Sequence, residues 1–385
     1  MEPPAASGLG RMNSAVGRGK AGKRLLADIH KWIALVVGVL LIAQAGTGVI
    51  LANQDVLLKA FHPETRSRAV ERTADLDTLI AAALAATPGG RLDRLLFTHQ
   101  DAGVILARVR TDPDRALHIV VLERQTATVL SSGAIWKYPT QLAERIHVSL
   151  MSGVAGQLVL LVEGLLLLTL SITGLILWWP KQHRYTEALT IQLRAPWRRV
   201  LRDFHLAPGA VMSLFFALSG LTGTLMVAEP LIKPVVAIVA PVLPELNPDL
   251  APVEPGAQPL ITAQTALERL QARFPDGVLR QVRVLADGRL VGVVMTAADA
   301  ANPRAHHIAG VDRFTGELLV FSDGNDLPSG EAALSWILPI HNGDAYGPLR
   351  RPVITLVGLM LLGSSITGLT MWAVKPRRRR RPSPS

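Results

Sequence analysis

The chain has 385 residues, a formal net charge of +10 and an apolar fraction of 49%. The charge gathers beside long apolar stretches and not along one stripe, which reads as membrane topology and argues against a nucleic-acid surface. There is no cysteine, so disulfides, thioether-attached haem, Cys-ligated iron–sulfur clusters and thiolate zinc sites are excluded.

Residues 1–29 form a basic N-terminus carrying Arg11, Arg18, Lys20, Lys23 and Arg24. Gly17, Gly19 and Gly22 match G-x-G-x-x-G, but no strand precedes them, so no nucleotide site is expected. Residues 32–52 are apolar and long enough to cross a hydrocarbon core of roughly 30 Å, giving a first transmembrane helix at 30–52. Ala43-Gln44-Ala45 resembles a signal-peptide cleavage site, but the apolar run is long for one and the helix is expected to be retained.

Residues 53–140 have the pattern of a small α+β module, with a helix at 75–86 and strands at 91–97, 104–110 and 117–122. A second transmembrane helix is expected at 141–179, apolar from 154. A basic loop at 180–204 follows, with Lys181, Arg184, Arg194, Arg198, Arg199 and Arg202, and then a third helix at 205–230, apolar over 206–228. Pro234, Pro241 and Pro244 break the apolar stretch 231–245, which reads as an interfacial piece opening a Pro-rich linker at 231–259 and not as a fifth span.

A second α+β module occupies 260–330. Its helix is expected at 261–274 and its strands at 278–284, 289–295 and 306–311, before an Asp312-to-Glu317 turn and a last strand at 318–322. Residues 123–128 are the weaker counterpart of that turn in the first module. A fourth helix with an outer extension covers 331–373, apolar over 352–373, and a basic tail with Lys375 and arginines at 377–381 closes the chain. The expected fold is therefore an α-helical membrane protein with four transmembrane helices in two span–module–span repeats and two small α+β extracytoplasmic domains. The basic clusters put both termini and the 180–204 loop in the cytoplasm and the two modules outside it.

Four histidines repeat in register with this duplication. His30 and His205 each follow an Asp by two residues, in Asp28-Ile29-His30 and Asp203-Phe204-His205, and each precedes a Thr-Gly by 17, at Thr47-Gly48 and Thr222-Gly223. His147 and His341 each precede a Ser-Ile-Thr-Gly by 24, at Ser171 and Ser365. A histidine beside lipid is costly without a partner, and haem iron is the leading candidate. Two axial nitrogens on one metal lie roughly 4 Å apart, so ligands of one haem share a depth. His30 then pairs with His205 at the cytoplasmic side and His147 with His341 at the outer side, predicting two b-type haems. A continuous helix from His147 to Trp178 would run roughly 46 Å at about 1.5 Å per residue, leaving His147 at or above the outer interface unless Gly153 and Gly156 bend it. Gly347 and Pro348 could bend the His341 segment likewise.

Other residues carry weaker signals. Gly46, Gly48, Gly174, Gly220, Gly223 and Gly368 would let a macrocycle approach the backbone, or simply pack helices. Glu163 lies mid-span, opposite Val357 in the repeat, and reads as a proton-handling acid, a propionate neighbour or a hydrogen-bonded neutral carboxyl. Gln44 is expected to bond between helices, and Asp28 and Asp203 to cap helix N-termini or orient an imidazole. His62, His99, His118, His183, His306 and His307 lack repeat partners and read as ordinary histidines; Trp178, Trp179 and Trp372 read as interfacial anchors. No flavin or nicotinamide domain is visible, so a reductase of this kind needs a separate donor, a cytoplasmic reductase or a quinol.

The segments Asp28-Ile29-His30-Lys31-Trp32 with Thr47-Gly48, His147 with Ser171-Ile172-Thr173-Gly174-Leu175, Asp203-Phe204-His205, and His341 with Ser365-Ile366-Thr367-Gly368-Leu369 resemble the PepSY-associated transmembrane proteins, also called iron-regulated membrane proteins. The Val311-to-Glu317 turn is similar to the PepSY signature, and the likeness runs from about residue 24 to 374. Some members are di-haem ferric-siderophore reductases of the bacterial inner membrane. The resemblance thus implies an enzyme with two haem b groups, axial ligands His30, His205, His147 and His341, and a ferric siderophore or other extracytoplasmic acceptor as partner. PepSY modules elsewhere are tied to protease regulation, which leaves a second reading: a membrane-anchored binding or regulatory protein without redox activity.

Overall fold

The computed structural model describes residues 7–63, 72–97, 103–111, 116–180, 184–244, 257–284, 290–296, 302 and 305–374, with side chains described from residue 21 onward except at Leu290. His99, His183, Lys181, residues 245–256 of the Pro-rich linker and the basic tail lie outside the described residues, as do the side chains of Arg11, Arg18 and Lys20. Helix α1 covers Ser7–Ala52 and α2 covers Gln54–Phe61. Helix α3 (Leu76–Ala85) leads into strands β1 (Gly90–Leu96), β2 (Val104–Thr111), β3 (Ala116–Glu123) and β4 (Val129–Ala134). Helices α4 (Pro139–Ser149), α5 (Gly153–Trp178), α6 (Tyr185–Leu189), α7 (Trp197–Val227) and α8 (Glu229–Val236) follow. Then come α9 (Ala263–Arg273), strands β5 (Val278–Val284), β6 (Leu290–Thr296), β7 (His306–Asp312) and β8 (Leu318–Ser322), and helices α10 (Ser329–Leu334), α11 (Ile337–Asn342) and α12 (Arg350–Ala373). These form two compact units, one of the long helices and one around the sheet.

Among the described residues four helices are long and apolar enough to cross a membrane: Ala21–Ala52 within α1, then α5, α7, and the stretch Ser329–Ala373 whose apolar part is α12. Outward apolar residues such as Val36, Val39, Leu158, Val211 and Leu214 stay exposed, as side chains solvated by lipid do. Inward, Val37, Leu41, Leu167, Leu170, Met212, Phe216, Val357 and Leu361 form one core. Helices α5 and α7 meet backbone to backbone: a Cβ on Gly220 would stand 2.8 Å from the Gly164 carbonyl oxygen. Between α1 and α12, Gly38 and Gly358 make room for the side chains of Leu369 and Val49. Lipid offers no hydrophobic drive between helices, so close van der Waals approach through small residues holds them.

The sequence suggested one continuous helix from His147 to Trp178, and the chain breaks it. Leu150 (φ 46°), Met151 (φ 60°) and Gly153 (φ 57°) all turn left-handed, so α4 ends at Ser149 and α5 starts afresh. Gly156 closes the turn, since a Cβ there would collide with the Ser149 carbonyl. The corresponding breaks before α12 fall at Gly343 (φ 84°) and Gly347 (φ 54°). The apolar stretch after Val227 yields only the eight-residue α8.

In the second unit, the two modules expected as separate domains share one eight-stranded sheet, ordered β4-β3-β2-β1-β5-β6-β7-β8. β1 and β5 pair antiparallel through Leu95↔Val282 and Leu96↔Gln281. Each would otherwise present an open edge, and their pairing removes both. α3 and α9 cover one face around a common core that includes Leu79, Leu95, Ile105, Leu122, Leu270, Val282, Val293 and Val311. The helices also cap each other. The Asp77 carboxylate accepts from the backbone N–H groups of Ala263 (3.0 Å) and Gln264 (2.9 Å), and Gln264 Oε1 accepts from Leu76 N–H at 2.9 Å. These satisfy orphan donors at both helix starts.

The Asp312-to-Glu317 turn places Gly316 at φ 75°, and its weak counterpart places Ala127 at φ 60°. A left-handed alanine costs roughly 1–2 kcal/mol, against about 0.8 kcal/mol for burying its methyl. Ala127→Gly is therefore expected to raise stability by about 0.5–1 kcal/mol in denaturant unfolding; a loss would show that the methyl's packing in the core outweighs the strain.

Candidate functional site

Three of the four repeated histidines lie in the helical unit, and each docks on a Thr-Gly of another helix. His30 Nδ1 on α1 lies 2.9 Å from Thr173 Oγ1 on α5. His205 Nδ1 on α7 lies 3.0 Å from the Ser364 carbonyl and 3.3 Å from Thr367 Oγ1, both on α12. His147 Nδ1, in the last turn of α4, lies 3.0 Å from Thr47 Oγ1 on α1. The glycine after each threonine faces the ring: a Cβ on Gly174, Gly368 or Gly48 would stand 3.2, 3.1 or 3.4 Å from the Cε1 of His30, His205 or His147.

The threonines decide which imidazole nitrogen carries the proton. Each sits inside a helix and donates its one hydroxyl proton to the carbonyl four residues back, Thr47 to Ala43, Thr173 to Thr169 and Thr367 to Gly363, all at 2.7 Å. With that proton spent, the hydroxyl can only accept from the histidine. The Ser364 carbonyl can only accept in any case. So Nδ1 carries the hydrogen in His30, His205 and His147, and the lone pair is on Nε2. A neutral imidazole anchored through Nδ1–H is the state of a metal-ligating histidine, whose second nitrogen is fixed by a carbonyl or hydroxyl. Among the described residues, Nε2 of His30 and of His205 makes no hydrogen bond.

The two docks of His30 and His205 share a depth. Thr173 lies one to two turns from the end of α5, and Thr367 lies likewise from the end of α12. Thr47 lies near the end of α1, at the opposite end of the bundle. A shallow, open surface depression near the start of α7 is lined by Trp197, Val200, Leu201, Phe204 and Thr367. His341 belongs to the other unit, in the last turn of α11 before left-handed Gly343. Its dock is the one sequence expectation in this set that rests on the repeat alone; Thr222, the threonine matching Thr47, spends its proton on Leu218 at 2.7 Å in the same way.

Several sequence expectations change here. Neither Asp28 nor Asp203 caps a helix, because α1 and α7 begin well before them. Asp28 pairs with Lys31 at 2.7 Å, and buried Asp203 pairs with Arg199 at 2.9 Å. The glycines sort into two kinds. Gly48, Gly174 and Gly368 face imidazoles, Gly220 packs helices, and Gly46 has nothing within 4 Å. The Gln44 amide nitrogen makes no interhelical bond; it is buried without a partner, as are both Glu163 oxygens and the hydroxyls of Thr224 and Ser364. Of the other histidines, His62 stacks on Tyr138 at 4.7 Å and donates from Nε2 to the Lys137 carbonyl, while His307 stacks on Phe274 and accepts from Gly324 N–H. Trp179 and Trp372 are exposed at the ends of α5 and α12, as interfacial anchors are.

Among the described residues, no three His, Asp or Glu side chains converge to hold a bare metal ion. The donors present, imidazoles with Nδ1 anchored and a glycine against each ring, are of the kind that would hold the iron of a haem.

Thr173→Val would leave His30 Nδ1–H unsatisfied and is expected to cost about 1–3 kcal/mol, whereas Thr173→Ser keeps the acceptor. Denaturant unfolding in detergent should separate the two; equal losses would mean that the hydroxyl does not hold the ring.

No curated protein matches the chain. A family model, the PepSY-associated TM region, matches residues 27–375, a stretch that holds all four spans, both modules and the four repeated histidines. The chain belongs to the PepSY-associated transmembrane family.

Proposed function

We propose that this protein is a bis-histidine di-haem b oxidoreductase of the bacterial inner membrane, passing electrons from a donor on the cytoplasmic side to an acceptor outside, a ferric siderophore, and so releasing Fe(II) for uptake. The observation that carries this reading is the fixed tautomer: Nδ1–H of His30 and of His205 is held by Thr or carbonyl acceptors, which leaves the lone pair on an Nε2 that makes no hydrogen bond among the described residues. An imidazole lone pair there calls for a metal or a proton donor. His30 and His205, docked at one depth, would hold one haem; His147 and His341 would hold the other.

Without cysteine, attachment is through these imidazoles alone. These histidines would hold haem iron, which would supply one-electron outer-sphere transfer. The chain's own task is then positional. The threonines keep each ring neutral and oriented, the glycines beside them let the ring seat against the backbone, and the apolar core keeps water from the centre. Reduction loosens an oxygen-rich ferric chelate because Fe(II) is softer and carries less charge.

Haem quantitation tests this. Wild type should carry two haems per chain. His30→Ala and His205→Ala should each lose the same one, and His147→Ala and His341→Ala the other. Losses that group His30 with His147 would overturn the pairing. A protein that stays colourless after haem supplementation would overturn the redox reading and leave the membrane-anchored PepSY binding protein.

A further inference from the structure

The face of the sheet opposite α3 and α9 carries an arginine cluster at the seam where β1 joins β5. Ile105, Ala107 and Val109 of β2 point into the core, so Arg108 and Arg110 point to the other face. Their cross-strand partners on β1 are also arginines: Arg110 opposes Arg91, and Arg108 opposes Arg94. On β5, Val282 is in the core and Arg283 faces away from it. Like charges directly opposite destabilise a sheet, so this arrangement needs an offset.

Arg108 has one, from Gln141 (2.8 Å) and Glu144. Of the remaining four, Arg94 and Arg110 share a single carboxylate. Asp93, in the bulge of β1, accepts from Arg94 Nε at 2.8 Å and Arg110 Nε at 3.3 Å. Burial pushes the Asp93 carboxyl up, but Arg94 and Arg110 outweigh it and hold the group below the usual carboxylate range. Arg283 makes no hydrogen bond or ion pair among the described residues. Partial desolvation, then Arg94, and Arg110 beyond Asp93's opposing pull, hold its guanidinium below the usual arginine range. Arg283 is exposed on this face, beside Arg94 across the β1–β5 seam.

We infer that this seam is a binding site for a small polycarboxylate anion, and that the occupant is an iron(III) chelate of the citrate type. Arginines on neighbouring strands, whose backbones lie about 4.8 Å apart, can bring their guanidiniums to the carboxylates of one compact polyanion, each able to take a bidentate fork. As the acceptor's docking site it rests on the electron-transfer reading; as an anion site it does not.

The test is calorimetry on the full chain in detergent with gallium(III) citrate, which matches ferric citrate in charge and cannot be reduced. Saturable binding that weakens as salt rises is expected. Arg283→Gln should weaken it about tenfold, and Asp93→Asn, which removes the competing carboxylate, should tighten it. That opposite sign separates loss of the site from loss of the fold. Absence of saturable binding, indifference to both substitutions, or binding only to phosphatidylglycerol vesicles would each overturn the site. Gallium citrate binding in a protein that takes up no haem would sink the electron-transfer reading alone; a haem protein that ignores gallium citrate would sink only this site.

Discussion

A hydroxyl has one proton, and in this bundle its destination organises the rest. Thr47, Thr173 and Thr367 each give that proton to their own helix. Each is left as a pure acceptor, facing inward on a helix that supplies few other polar groups. The histidine of a neighbouring helix answers with Nδ1–H, and the lone pair is left on its Nε2. Helix self-bonding, usually a mild liability for threonine, here becomes the device that sets a tautomer.

That device explains why the same dipeptide recurs. Threonine supplies the acceptor, and glycine at the next position removes the side chain the ring would strike, leaving Cε1 a little over 3 Å from where a Cβ would be. It also explains the broken helices. His147 stands on a separate short helix, and consecutive left-handed residues at Leu150 and Met151 separate it from its span. Two strained residues are a real cost, tolerated where the ring they position meets Thr47.

Much of this was legible in the sequence. The four apolar runs, the module helices and most of the strands followed from periodicity, and the equal spacings of 17 and 24 marked the histidines and the Thr-Gly dipeptides as one system. What the spacing could not show was which Thr-Gly each ring meets. Spacing along one helix is one-dimensional, and the docks run between helices, His30 to Thr173 and His147 to Thr47. The aspartates misled for a related reason: an acidic residue just before an apolar run resembles a cap, yet α1 and α7 begin earlier and spend Asp28 and Asp203 on Lys31 and Arg199. The union of the modules into one sheet was hidden because edge pairing of β1 with β5 depends on backbone groups that every strand carries.

The most direct measurement of the central claim is the low-temperature electron paramagnetic resonance spectrum of the oxidised, purified protein. If Nε2 of these histidines binds haem iron in pairs, the spectrum shows two low-spin ferric centres of bis-imidazole type. A high-spin ferric signal would show that the imidazoles do not meet across the iron, and a silent spectrum in haem-supplemented protein would show that their lone pairs serve some other partner.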